Sequence, residues 1–349
     1  MSTGYRFATR GLFAAAIVCA LASGCRHATA EHTTPDAAAA TPPVAAPSAS
    51  ATNEPVQIEM KNVRLHPADG IILEIAYLRG EMISRTAGRH PVFDDQNSYV
   101  LQVFSADISM DMSSLTHLMN DHLFAYEGAT LHGISVEIDE GRLKQKATLR
   151  KGVPIPITTK ATVSATPDGR LKLETDKVSA LGVPAKGLMG MFGLELGDLV
   201  SLKDRRGIEI DGNDIVLSPG LILPPPQIRG HLSHVAIVGD RLVQKFSSTG
   251  ASPKALPPRP DAASRNYIYF SGSVITFGRL TMKPADLQLI DSDPKDPFDF
   301  FPSKYQGQLV AGYSKNTPSG ALRTYMPDYG DLARVKDLVP GQQNPKRRQ

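Results

Sequence analysis

From about residue 71 to residue 290 the apolar positions of this chain recur at every second residue, the period of a strand with one face in a core and the other in water. Two stretches show it best. In 142–150, Leu143, Ala147 and Leu149 alternate with Arg142, Lys144, Lys146, Thr148 and Arg150; in 155–165, Ile155, Ile157, Ala161 and Val163 alternate with Thr158, Lys160, Thr162 and Ser164. Weaker alternation marks 71–78, 100–110, 131–138, 208–217, 227–246 and 267–290. Turn residues part these runs: Pro167, Asp168 and Gly169 before the strand 171–174, then Asp211, Gly212 and Asn213, then Gly239 and Asp240. Each group supplies residues that tolerate a tight hairpin turn. The pattern predicts about a dozen strands, mostly antiparallel.

Helical spacing interrupts the alternation twice. Residues 113–125 carry a serine cap followed by Leu115, Leu118, Met119 and His122 on one stripe, which predicts a helix lying against the sheet. In 186–202, Met189, Phe192, Leu196, Leu199 and Val200 form a second stripe, with Gly187, Gly190, Gly193 and Gly197 close to it. Four glycines cost a helix on the order of 3 to 4 kcal/mol relative to alanine, so something besides propensity must hold this segment. A short third helix is expected over 331–338, stopped by Pro340.

The first 25 residues have a different pattern. Arg6 and Arg10 precede an apolar run from Leu12 to Leu21, and small residues Ala22, Ser23 and Gly24 lead to Cys25. This order matches an export signal ending in a lipobox, with Cys25 as the lipid-attachment residue. The run is shorter than the roughly 20 residues that a membrane-spanning helix needs. Cys19 and Cys25 are the only cysteines, so cleavage before Cys25 would leave no disulfide. Residues 26–53, rich in Ala, Pro and Thr and without an aromatic residue, read as a flexible linker. As a coil it would span on the order of 30 Å. The folded domain is expected over 54–339, with 250–339 either extra strands of the same sheet or a small addition, and a disordered basic tail over 340–349.

Charge excludes one class of partner. The formal net charge is +3; without Arg6 and Arg10 it is +1, and without Lys346, Arg347 and Arg348 the body stands at −2. No basic cluster outside the tail offers a face for nucleic acid.

Signatures for chemistry are sparse. The chain lacks a G-x-S-x-G elbow, an H-E-x-x-H pair, a Walker loop and a G-x-G-x-x-G turn. The single S-x-x-K match, Ser292 to Lys295, falls in an Asp/Pro-rich stretch where its side chains need not converge. His117 and Asp121, four apart on the polar helix face, lack a third metal ligand nearby. His231 and His234, three apart in a strand, point to opposite faces unless a bulge intervenes. Asp291, Asp293, Asp296 and Asp299 have oxygen ligands at a spacing that can wrap calcium, though Pro294 and Pro297 and the absence of a glycine-centred loop weaken the match. No catalytic residue, metal site or cofactor is assigned, and the chain is read as non-enzymatic.

A long sheet with one apolar face and few helices leaves two readings open. One is a closed β core; the other is an apolar groove for acyl chains, where flexible methionine suits a ligand of variable shape. The stretch ATVSATPDGRLKLETDKVSALGVPAKGLMGMFGLELGDLV, followed by GIEIDGNDIVLSPGLILPPPQIRGHL, resembles the LmeA-like periplasmic phospholipid-binding proteins with a tubular, TULIP-like lipid-binding fold. The likeness is one of ordered pattern over about 58–246. It implies an α+β class, mostly antiparallel β, with one long curved sheet wrapped around one or two helices. It also implies a phospholipid-like ligand, with Leu188, Met189, Met191, Phe192 and Leu196 and, on the first helix, Leu115, Leu118 and Met119 as lipid-binding residues. Neither the anchor at Cys25 nor the long linker comes from the resemblance. Arg26 after the acylated cysteine, where well-known inner-membrane lipoproteins have aspartate, favours the periplasmic face of the outer membrane. The expected function is a lipid-anchored carrier or binder of phospholipid-like molecules. The alternative is a non-catalytic envelope scaffold with a closed core.

Overall fold

The computed structural model describes residues 54–151, 153–180, 183–184, 207–211, 214–250 and 253–333. It is mostly antiparallel β with few helices, as the alternation predicts. The strands divide between two large sheets that share one core.

The chain enters through β1 (Val56–Ala68), β2 (Ile71–Ser84) and β3 (Tyr99–Asp111), which pair in sequence as a meander. At Asp111 it turns into α1 (Met112–His117), continued by a π-helical turn over Leu118–Leu123. The next strands are β4 (Leu131–Asp139), β5 (Arg142–Lys151), β6 (Val153–Ala165), β7 (Leu171–Ala180), β8 (Val183–Pro184), β9 (Ile208–Asp211) and β10 (Asp214–Leu217). They form the second sheet in the order β4-β5-β6-β7-β10-β9, with β8 on β7, all antiparallel. A single helical turn, α2 (Pro219–Ile222), leads through β11 (Gln227–Arg229), parallel to β3, back to the first sheet. β12 (His231–Val238) and β13 (Arg241–Ser247) then extend that sheet beyond β3.

The last third adds strands on the other side of β1. These are β14 (Tyr267–Gly272), the ribbon β15 (Ile275–Phe277) with β16 (Leu280–Met282), β17 (Ala285–Asp291), β18 (Phe298–Phe300), α3 (Tyr305–Ala311), β19 (Tyr313–Asn316) and β20 (Leu322–Met326). The first sheet thus has eleven strands, ordered β12-β13-β3-β2-β1-β14-β17-β20-β19, with β11 on β3 and β18 on β1. Residues 267–326 contribute strands of the same sheet.

Bulges curve this sheet. The pairing of β2 with β3 shifts register between Ile75 and Tyr77 and again between Arg79 and Gly80. An extra residue on one strand bends it and increases its twist. The same shifts change the phase of burial, so Leu73, Ile75, Leu78 and Met82 all face inward. A further bulge, between Leu232 and His234 in β12, corrects a sequence expectation. Leu232 and Val235 are both buried although three apart, so His231 and His234 share the other face.

The second sheet turns its wet face outward. Lys144 meets Glu137 at 2.8 Å, Lys160 meets Asp139 at 2.7 Å and Lys172 meets Asp214 at 2.9 Å. Ala161 is buried and Val163 packs on the core as the alternation predicts, whereas Ile155 and Ile157 stay half-buried because the β5–β6 hairpin runs past the core.

Candidate functional site

Asp111, at the end of β3, starts α1: its carboxylate accepts the Ser114 N–H at 2.7 Å. The cap is this aspartate rather than the expected serine, because Ser114 is used elsewhere. Its hydroxyl accepts the N–H of Ile72 on β2 at 3.0 Å. The opposite side of the helical segment meets the edge strand β4. Thr116 Oγ1 accepts the Val136 N–H at 3.0 Å, and Asn120 both accepts the Ile134 N–H at 3.0 Å and donates to the Ile134 carbonyl at 2.6 Å. Polar side chains here do the work of a neighbouring strand, satisfying edge groups that would otherwise be left without partners.

Held between the two sheets in this way, the segment turns Leu115, Leu118, Met119 and Leu123 inward. The π turn adds a residue to the helical repeat, so Leu123 takes the inward place that regular spacing assigns to His122, which is only half-buried.

Below these side chains lies an open apolar cavity with a free interior of about 60 Å³. Leu73 and Leu78 of β2, Val103, Ile108 and Met110 of β3, and Leu242 and Phe246 of β13 line one wall. Leu171 of β7 and Leu217 of β10 line the other. Pro219, Ile222, Leu223 and Ile228 close the end opposite α1. Val103 and Met110, seven residues apart on one strand, both line it. Among its described lining residues Gln244 is the single polar one, and none carries a charge, a hydroxyl, a thiol or an imidazole. A lining of this kind suits a small apolar ligand or one chain of a larger amphiphile.

Leu115, Leu118 and Met119 therefore stand together in one cavity wall. Leu188, Met189, Met191, Phe192 and Leu196 lie outside the described residues, as do Cys25 and the linker. The wall residues on β2, β3 and β13 were not singled out in the sequence, although their alternation already marked them as inward-facing.

Other sequence candidates do not converge. His117 Nδ1 and Asp121 Oδ2 form an exposed pair at 2.8 Å. Lys295 of the S-x-x-K match points to solvent and pairs with Asp293 at 3.1 Å. In the acidic stretch, Asp291 accepts from Asn266 at 3.0 Å and from the Asp293 N–H at 2.8 Å. Asp299 accepts from His66 and from the Gly330 N–H at 3.1 Å. Burial works to raise the Asp299 carboxyl, but the bond and charge of His66, with Gly330 and Arg64, prevail and hold it below the usual carboxylate value. Asp328 lies in the same neighbourhood. Burial pushes it up to about 7, against its acceptance of the Asp299 N–H at 2.7 Å. These carboxylates are each bound to separate protein groups, and no cluster among the described residues brings three His, Cys, Asp or Glu together around a metal.

Among the described residues no helix is long and apolar enough to cross a membrane. No family model, curated protein or solved structure matches the chain.

Proposed function

We propose that this protein binds the hydrocarbon tail of a phospholipid-like amphiphile in the cavity between its two sheets, as a lipid-anchored protein of the cell envelope attached through Cys25. The observation that carries this reading is the cavity itself: an apolar tunnel between two sheets, with Gln244 as the single polar residue among its described lining residues. A buried space of this character is costly in a folded protein, because the atoms around it forgo dispersion contacts, and an apolar chain restores them. The lining offers nothing to a charged head group, which would remain at the mouth. The sequence at Cys25 supports export and acylation, and Arg26 favours the outer membrane.

A fluorescent fatty acid added to the purified full chain tests this directly. The wild type should take it up, and phospholipid extracted from the exported protein should be seen by mass spectrometry. Val103→Phe places a ring in the tunnel where space exists, so it should block uptake with a stability change of about 1 kcal/mol or less. Full uptake by a folded Val103→Phe chain, or none by the wild type, would overturn the proposal.

A further inference from the structure

The tunnel's end opposite α1 is formed by a loop of unusual composition. Residues 218–228, SPGLILPPPQI, contain no charge, and four of the eight residues from Pro219 to Pro226 are proline. Proline has no N–H to satisfy. Of the remaining donors, Leu221 N–H bonds the Ser218 carbonyl at 2.9 Å and Leu223 N–H the Pro219 carbonyl at 3.3 Å. Ile222 and Leu223 line the tunnel, while Leu221 next to them is 46% exposed. The apolar surface thus runs without interruption from the tunnel to the outside. The loop is also held in shape: Gly220 sits so close to the Ile228 carbonyl that a Cβ would approach it to 1.7 Å.

Strand register shows where this loop lies. Gln227 and Ile228 pair with Val100 and Leu101, Leu101 pairs with Met82, and Met82 pairs with Val56. The end of the tunnel formed by this loop and the point where the N-terminal chain enters the fold are therefore at the same end of the sheet. Three strand spacings separate them, about 14 Å. A chain of the length of residues 26–53 spans on the order of 30 Å as a coil. The loop and the point from which the tether departs thus lie at one end of the sheet, and α1 at the other.

We propose that the loop 218–227 is a docking surface for a lipid bilayer, whose apolar interface receives the exposed Leu221 and Pro225, so that a lipid tail passes between bilayer and tunnel without crossing water. The physical requirement at such an interface is that backbone donors be absent or bonded internally, and the prolines, Leu221 and Leu223 meet it. Exposed Arg229, directly after it, is placed to meet anionic head groups. This inference rests on the lipid-binding reading of the tunnel.

The test uses the full chain with Cys19→Ser and Cys25→Ser, so that no acyl anchor contributes, and one labelled cysteine introduced by Pro225→Cys or by Asp240→Cys. Asp240 is exposed in the β12–β13 turn at the far end of the sheet, since Arg241 pairs with Asp111. Vesicles of phosphatidylcholine and phosphatidylglycerol with brominated acyl chains are added. Quenching of the label at 225 but not at 240 is expected. Adding Leu221→Asp, at an exposed site that should not impair folding, should weaken vesicle binding about tenfold and remove the quenching. Equal quenching at both sites, none at 225, or quenching at 225 that survives Leu221→Asp would overturn the proposal. Fluorescent fatty acid uptake without vesicles reads the tunnel alone, so a docking failure and a tunnel failure are told apart.

Discussion

On β14, β15 and β18 the inward side chains include rings beside Ile268 and Ile275. Phe93 stacks on Phe277 at 4.3 Å between centroids, Phe270 meets Phe277 edge-on at 5.1 Å, and Tyr305 stands against Phe93 at 5.4 Å while its hydroxyl bonds Asp94. On β2, β3 and β13 the inward side chains are nearly all leucine, isoleucine, valine and methionine, and a tunnel remains between them and the second sheet. β14 and β18 belong to the same sheet as β2, β3 and β13, so its curvature alone does not explain the difference. Rings are large and rigid and interlock across the core. The aliphatic end has shorter side chains, and its covering helix is held at a fixed height by Ser114, Thr116 and Asn120, so it cannot settle into the space. A filled core and a hollow one thus differ by side-chain size and by hydrogen bonds that act as struts.

The largest effect should come from emptying the filled end. Phe270→Ala should cost about 3 to 5 kcal/mol in denaturant unfolding, because the ring is fully buried among aromatic neighbours. Leu118→Ala, equally buried but facing the tunnel, already lacks partners on one side. Its cost should fall at about 2 kcal/mol or below. Equal costs would show that the tunnel is filled by protein and would erase the distinction.

The strut argument is tested next. Asn120→Ala removes both bonds to Ile134 and leaves edge groups of β4 unsatisfied, so it should cost about 2 kcal/mol. It should also reduce fatty acid uptake as the helix settles. Unchanged uptake in a destabilised variant would separate helix height from tunnel volume.

The filled end also carries a pH signature. The Asp328 carboxyl, pushed up to about 7 by burial and then by Asp291, Asp296 and Asp299, keeps its proton in the folded chain where the unfolded chain, near 3.8, has lost it. Its contribution to stability is therefore complete below about 4 and is lost as pH rises to about 7. Melts should show a decline on the order of 2 kcal/mol across that window, which Asp328→Asn flattens. Asp299, held low, acts in the opposite sense only as pH falls below the ordinary carboxylate range. A wild-type profile flat from pH 4 to 8 would contradict the burial of Asp328.

The smallest effect belongs to neither end. Ile157→Asp, on the half-buried part of β6, should cost about 1 kcal/mol or less. A loss comparable to that of Phe270→Ala would mean that the hairpin is packed against something in solution.

Alternation of apolar and polar residues was enough to reveal the β-rich class, the hairpins around Gly169 and Gly239, the first helix and the inward direction of Leu115, Leu118 and Met119. These are local properties: a period states which face of an element is apolar, and a turn residue states where the backbone can reverse. Central strand β1 was harder to see because Asn62, at φ +49°, breaks its phase, and β18, β19 and β20 are too short to show a period. The polar side of α1 has the same composition whether it meets water or the edge of β4, and only the fold puts Ile134 and Val136 beside it. The tunnel was out of reach for the same reason. Its volume depends on how far apart two sheets and a helix are held, and that distance is set by strand pairing, bulges and four hydrogen bonds made by Ser114, Thr116 and Asn120.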